Sequence, residues 1–334
     1  MLESCISIMT NNNLNKSENT EGMKYDEALL LVRSEMDRTL SKSPLIIREY
    51  TKHLAASQGK FIRAVSVLIC AEDKEGFIHP NAIKIAAAIE LLHLATLVHD
   101  DIIDNADLRR GEVTLQKKYG KRTAVICGDY LLSVALTMAA SIPNKQDYLS
   151  IDMPDYVGKV CLGELNQHVN NGNINLSFYQ YLKIISGKTA ALFEASFFAG
   201  AIFSGSNEVE AKKYRNLGNY IGMIFQLTDD CIDFENTVED ANKPVQSDFE
   251  QGVITLPLIH ALKKLKDFKE KALNGGINRA EINEAVEKTG GLSFTRMVVK
   301  KYFNKSMRII NELDLTDHKK EMLISILNKA SRLA

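Results

Sequence analysis

The sequence predicts an all-α fold, one large helical bundle, on three observations. From Lys24 to the end of the chain, apolar residues recur at three- and four-residue spacing through long segments. Short polar or glycine-containing joints separate those segments, among them Asp73-Lys74-Glu75-Gly76, Pro143-Asn144-Lys145 and Gly275-Gly276. No stretch sustains the period-two alternation of paired strands, so the pattern reads as roughly ten or more helices joined by short antiparallel connections.

Composition agrees with this reading. The 334 residues are 45% hydrophobic and 25% charged, with six Pro and no Trp, values of a soluble globular protein able to bury a sizeable core. Residues 1–22, dominated by Asn, Ser, Lys and Glu without a period, read as a flexible N-terminal arm, and residues 23–334 as the helical domain. The apolar run from Ile83 to Val98 is interrupted by Lys84, Glu90 and His93. It is expected to be a buried helix, not a membrane span, starting near Pro80, a residue favoured in a first helical turn. A second long helix is expected from Asn207, where Glu210 three residues on completes a capping box.

Charge narrows the function. Lys plus Arg (41) balances Asp plus Glu (42), which excludes a broad basic surface for nucleic acid or an anionic membrane. Phosphate chemistry would have to come from local clusters. Cys5, Cys70, Cys127, Cys161 and Cys231 form no CxxC pair, and read as reduced residues of a cytoplasmic protein, not a disulfide or zinc framework. The apolar stretch near the N-terminus is too short and too polar-flanked to be expected to act as a signal peptide.

Asp100-Asp101-Ile102-Ile103-Asp104 and Asp229-Asp230-Cys231-Ile232-Asp233 share the spacing D-D-x-x-D. Each lies near the end of a long apolar helix. At 100° per residue, Glu90, His93, Asp100, Asp101 and Asp104 fall within an arc of about 100°, and Gly222, Gln226, Asp229, Asp230 and Asp233 do the same. Such stripes are costly on apolar helices unless something satisfies them. If the two face each other across a cavity, the carboxylates repel, and divalent cations resolve the conflict. Mg²⁺ takes one or two carboxylates and completes its shell with water and phosphates, so paired Asp clusters without His or Cys suggest magnesium on a diphosphate more than zinc. A single D-D-x-x-D is more simply a solvated helix end; two copies on similar helices reverse that preference.

Cations stand close by. Lys60 and Arg63 lie three residues apart ahead of an apolar helix through Val65, Val67, Leu68 and Ile69, and Arg109-Arg110-Gly111 follows the first Asp cluster. Each pair alone would be surface charge. Beside an anionic metal site, Arg109 and Arg110 are placed to bind diphosphate oxygens through their planar forks. Lys188, Thr189 and Lys243 add cations and a hydroxyl between or beyond the two motifs.

At these residues the chain closely resembles the trans-type polyprenyl diphosphate synthase family, in particular its medium- and long-chain members. The match runs from about Gln58 to Leu258. It takes in GKxxR at Gly59 to Arg63, ELLHLATLVHDDIIDNADLRRG, GDYLL at Gly128 to Leu132, KTAALF at Lys188 to Phe193, FQLTDDCIDF at Phe225 to Phe234, and ITLPLI at Ile254 to Ile259. The resemblance implies a helical bundle of the isoprenoid synthase type with a central cavity. It also implies that Asp100, Asp104 and Asp229, helped by Asp101, Asp230 and Asp233, hold magnesium on the allylic diphosphate. Arg109, Lys188, Thr189, Gln226 and Lys243 would contact that substrate. Lys60, Arg63, His93 and Arg110 would grip isopentenyl diphosphate, although His93 on its own is simply a histidine on an apolar helix. The flanks of the first basic motif depart from the family's GGKxxRP, carrying Gln58 and Ala64, and Asn242 and Val253 depart later in the site.

In this family, bulky aromatics four and five residues before the first Asp cluster stop product growth early. Here those positions hold Thr96 and Ala95, which implies products longer than fifteen or twenty carbons unless Leu92, Met138, Phe197 or Phe198 closes the tunnel instead. The resemblance further implies a homodimer without membrane insertion. Two alternatives remain: the catalytic half of a heteromeric synthase needing a small partner subunit, and a class I terpene cyclase. The second D-D-x-x-D, Arg109-Arg110 and GKxxR, which provide for a second diphosphate, disfavour the cyclase.

Overall fold

The computed structural model describes residues 22–56, 59–143, 155–235 and 252–332. Among them lie fifteen α-helices, one π-helical turn and one two-stranded hairpin, so the all-α expectation holds. In chain order the helices are α1 (Tyr25–Ser41), α2 (Leu45–Ala56), α3 (Ile62–Ala71), α4 (Pro80–Ile103), α5 (Leu115–Tyr119), α6 (Lys121–Ala140), α7 (Tyr156–Val169) and α8 (Phe178–Ile185). After the π turn Ser186–Ala190 come α9 (Ala191–Phe203), α10 (Glu208–Glu235), α11 (Leu256–Lys264), α12 (Lys266–Leu273), α13 (Arg279–Thr289), α14 (Gly291–Glu312) and α15 (Asp317–Ser331).

Both long acidic helices begin where their capping chemistry dictates. Pro80 opens α4, and His79 Nδ1 accepts from the Asn81 N–H. At α10, Asn207 Oδ1 accepts from the Glu210 N–H at 3.0 Å while Glu210 Oε2 accepts from the Asn207 N–H at 3.2 Å, satisfying two donors that a helix start otherwise leaves unpaired.

The core is organised about α9. Phe193, Phe197 and Phe198 are fully buried, and α9 packs on α10, α3 and α4. One apolar cluster draws on α8 to α11 and α13 to α15, and the other on α1 to α4 and α6. Burying roughly one aromatic side chain stabilises by about 1.5–3 kcal/mol, so these three phenylalanines anchor the bundle. Glycine makes the closest approaches possible. A Cβ on Gly222 would come within 2.5 Å of Ala190 Cα, and one on Gly163 within 2.2 Å of Lys188 N. These two positions bring α10 and α7 hard against the π turn.

By length and composition, α4 and α6 are each apolar enough to cross a membrane, but 56% of the α4 window is buried inside the fold against 28% for α6. The helix over Ile83 to Val98 is therefore a core helix, as its interrupting polar residues imply. On α6, Val125, Ile126 and Leu136 remain exposed. Cys70, Cys127 and Cys231 are buried and Cys161 is exposed; Cys5, with the rest of residues 1–21, lies outside the described residues.

Candidate active site

The first acidic helix end is held at its rim by a hairpin. Strands β1 (Leu108–Arg109) and β2 (Glu112–Val113) pair antiparallel, with Arg110 and Gly111 at φ 53° and 83° forming the turn between them, the left-handed pair that two-residue hairpins need. This turn folds the Arg-Arg segment back over α4. Arg109 Nε donates to Asp101 Oδ1 at 2.7 Å, and Asp101 is 7% exposed. The Arg110 guanidinium comes to lie against Gly59, where an added Cβ would meet Nη1 at 2.6 Å. Thus the two basic motifs, far apart in sequence, meet.

Around that junction the cations crowd together. Arg63 stacks its guanidinium over the Phe193 ring, 4.8 Å from the centroid. Burial, offset in part by Glu90 and reinforced by Arg110, pulls Arg63 down to about 10. Its Nε is buried without a hydrogen-bond partner among the described residues, a donor available to a ligand. Burial, with Arg63, Arg110 and Arg109 nearby, pushes His93 well below its ordinary value. Lys60 is exposed on the loop just before α3. Glu90, on the same stripe, caps α3 from the side: its Oε1 accepts from the Arg63 N–H at 3.1 Å and the Ala64 N–H at 2.9 Å.

The π turn presents Lys188 and Thr189, and π segments of this kind recur at functional sites. Lys188 Nζ pairs with Glu164 of α7 at 2.9 Å. Burial works against the lysine's charge, but Asp100, Glu164 and Asp104 together raise its pKa above the ordinary value. The carboxylates outnumber the lysine. Desolvation pushes Asp100 up to about 7, against Lys188 and with Glu164 and Asp104 adding to the rise, and desolvation and Glu164 raise Asp104 against Lys188 and Arg109.

The second acidic end is ordered by a relay. Thr189 Oγ1 donates to Gln226 Oε1 at 2.7 Å, Gln226 Nε2 donates to Asp230 Oδ1 at 2.9 Å, and the buried Tyr181 hydroxyl donates to Asp230 Oδ2. Asp230 is 1% exposed. Asp229 accepts from Arg332 at the end of α15, at 2.7 Å. Asp233 lies one turn further along α10, partly exposed.

The decisive feature is a cavity of about 100 Å³ lined by Asp104, Gln167, Asn170, Tyr181, Lys188, Gln226 and Asp230. The two acidic helix ends open onto one space, with a lysine between them. Among the described residues no three His, Cys, Asp or Glu side chains are spaced to cage a metal ion by themselves. The donor set nonetheless suits a hard divalent cation that keeps water and shares substrate oxygens: it is all oxygen, and the carboxylates around Lys188, Asp100, Asp104 and Glu164, exceed its charge.

A family model described as polyprenyl synthetase matches residues 44–289. The chain belongs to the polyprenyl synthetase family. This polyprenyl synthetase is 35% identical over 289 residues to heptaprenyl diphosphate synthase component 2 of Bacillus subtilis, covering 85% of this chain and 82% of that one. Its fold superposes on heptaprenyl diphosphate synthase from Staphylococcus aureus with a TM-score of 0.83 at 32% identity, over 93% and 99% of the two chains. It also matches polyprenyl synthase from Caulobacter crescentus, complexed with calcium and isoprenyl diphosphate, at TM-score 0.79 and 28% identity over 92% and 96%. The protein is a prenyltransferase, a polyprenyl diphosphate synthase.

Of the residues singled out by sequence, Arg63, His93 and Arg110 come together on one side, with Lys60 on the adjoining loop. Asp104, Lys188, Gln226 and Asp230 line the cavity, with Thr189 bonded to Gln226 behind it and Asp100 in the field of Lys188. Asp101 and Asp230 are already engaged by protein donors, and Asp229 by Arg332. Lys243 lies outside the described residues, as do Gln58 and Asn242. Sequence reasoning missed Glu164, Gln167, Tyr181 and Arg332. Only Tyr181 left a trace, as the polar tip of a residue on a strongly apolar helix.

Proposed function

We propose that this polyprenyl synthetase makes a medium- to long-chain all-trans product by repeated head-to-tail addition of isopentenyl diphosphate to an allylic diphosphate, with Mg²⁺ as its metal. The observation that carries the reading is the shared cavity, where Asp104 and Asp230 flank Lys188. A diphosphate there would lie between the acidic ends of α4 and α10. Asp100, Asp104 and Asp229, with Asp101, Asp230 and Asp233 behind them, would hold the magnesium ions, which supply positive charge to the departing diphosphate.

The chain's own residues do the rest. Lys188, Arg109, Thr189, Gln226 and Lys243 contact the allylic diphosphate, and Lys188 leaves Glu164 to do so. Lys60, Arg63, His93 and Arg110 hold the isopentenyl diphosphate, whose negative charge offsets the crowding of the three arginines around His93. As the allylic carbon–oxygen bond breaks, its electron pair leaves with the diphosphate and a cation forms on the allylic carbon. The isopentenyl double bond attacks that carbon, a carbon–carbon bond forms, and the released diphosphate takes the proton lost from the new chain. The site positions both partners and excludes water from the cation.

Chain length is read from α4. Ala95 is 2% exposed and Thr96 turns its hydroxyl to the His93 carbonyl at 2.8 Å, so neither projects a bulky ring below Asp100. Leu92 instead packs with Val160, Ala191 and Leu192, and Phe197 and Phe198 are committed to the core. The exposed Val125, Ile126 and Leu136 of α6 suit a second copy of the chain. A small partner subunit is the second reading, since a 35% identical relative is named as one component of its synthase. A cytoplasmic location suits the free cysteines among the described residues.

Pure protein incubated with Mg²⁺, isopentenyl diphosphate and primers of increasing length, its products sized by mass spectrometry, tests all of this. Extension beyond twenty carbons by the chain alone supports the reading. An inert chain rescued by a partner subunit favours the heteromer, and a cyclic hydrocarbon product rules the synthase out.

A further inference from the structure

Glu90 is a buried carboxylate that the reaction itself does not use. It is 8% exposed and sits one turn from His93 on α4, beside a site meant for a trianionic or dianionic substrate. A negative charge there opposes diphosphate binding by simple electrostatics, so its presence needs another reason.

The reason lies in how α3 begins. Its N-cap position, Phe61, adopts left-handed backbone angles (φ 52°, ψ 35°) and provides no side-chain cap. A bulky residue in that region persists only where its surroundings hold it. Two N–H groups of the first turn, those of Arg63 and Ala64, are instead satisfied by Glu90 Oε1 at 3.1 and 2.9 Å. Glu90 makes no ion pair with the Arg63 guanidinium among the described residues; it reaches the main chain. The guanidinium is thereby left stacked on Phe193 with its Nε unpaired.

We propose that Glu90 is a positioning residue for isopentenyl diphosphate: by capping α3 across the gap between helices, it fixes the turn that carries Lys60 and Arg63 in the geometry that grips the diphosphate before substrate arrives. The inference rests on the prenyltransferase reading of the site and deepens it. Burial raises the Glu90 carboxyl, while Arg63, the two N–H groups and Arg110 oppose the rise, consistent with a carboxylate kept for what it accepts.

Two conservative substitutions separate geometry from charge. Glu90→Gln keeps the length and the accepting oxygen but removes the charge; Glu90→Asp keeps the charge but withdraws the oxygen by one methylene. Steady-state kinetics with each substrate varied in turn, and calorimetric binding of isopentenyl diphosphate alone, give the readout. Positioning predicts that Glu90→Asp raises KM for isopentenyl diphosphate about tenfold or more, with KM for the allylic primer moving less than about twofold, and that Glu90→Gln loses no more than about threefold. Melting temperatures check that both variants are folded. The proposal is overturned if the order is reversed, if Glu90→Gln tightens isopentenyl diphosphate binding while Glu90→Asp leaves it unchanged, as loss of a repelling charge would, or if both KM values move together. If the parent protein does not bind isopentenyl diphosphate, the functional reading fails first, independently of Glu90.

Discussion

Tyr181→Phe removes one hydroxyl and nothing else. That hydroxyl donates to Asp230, which is 1% exposed and also accepts from Gln226. A hydrogen bond to a charged group contributes about 1.5–3 kcal/mol, and a buried acceptor that loses its donor bears the desolvation cost in full. The substitution should therefore lower folding stability by roughly 2 kcal/mol, a shift of a few degrees in melting temperature for a chain of this size. The same loss frees Asp230 to tilt away from the cavity. Because Gln226 and Thr189 belong to the relay, the allylic substrate should suffer more than isopentenyl diphosphate. We expect kcat/KM for the primer to fall at least about tenfold, corresponding to ~1.4 kcal/mol. Urea unfolding and kinetics with each substrate varied give both numbers. A further check is the Gln226→Leu background: with two donors on one carboxylate, the effects of Tyr181→Phe and Gln226→Leu should not add. Stability within about 0.5 kcal/mol of the parent together with an unchanged kcat/KM for the primer would refute the idea that Tyr181 orders the second acidic end.

Ala95→Phe places a ring five residues, about 7.5 Å, before Asp100 on α4, and should shorten the product by at least one isoprene unit in mass spectrometry; an unchanged length removes α4 as the ruler. Because burial pushes Asp100 up to about 7, that carboxyl must shed a proton as metal loads. Mg²⁺-dependent stabilisation by an unreactive allylic diphosphate should thus grow between about pH 6 and pH 8. Without metal the sign reverses, since a carboxyl raised in the folded state contributes stability at low pH that is lost as pH climbs through about 7, and Asp100→Asn should flatten both trends. Arg332 holds Asp229 through a half-exposed contact worth at most about 1 kcal/mol. Arg332→Ala should leave stability nearly unchanged and tighten Mg²⁺-dependent diphosphate binding by up to about fivefold in calorimetry. Weaker binding would mean that Arg332 grips substrate instead.

Much of this arrangement was legible in the chain because its signals are local. Pro80 and the Asn207–Glu210 box marked the starts of α4 and α10, and helical periodicity put each aspartate on a defined arc. The contacts that shape the site are not local. Gly163 reads as one more small residue until the π turn packs against it, and only that approach sets Glu164 beside Lys188. Arg109-Arg110 taken alone read as surface charge; the positive φ angles of Arg110 and Gly111 make a hairpin that carries Arg110 onto Gly59. The acidic stripes were expected to face each other across a cavity, with Asp100, Asp104 and Asp229 as chief magnesium holders. The fold divides them instead: Asp101 faces Arg109, Asp230 faces Tyr181 and Gln226, and Glu90 faces a helix start. Period and spacing report which side of a helix a residue occupies, not which partner occupies the space opposite.

The proposed reaction requires one diphosphate to be shared by the ends of α4 and α10. Its most direct test is a double-mutant cycle on Asp100→Asn and Asp229→Asn, read as calorimetric binding of an unreactive allylic diphosphate in Mg²⁺. We expect each single substitution to weaken binding strongly and the double to lose less than the sum, with a coupling of at least ~1 kcal/mol. Additive losses, or either substitution leaving binding intact, would contradict a common site.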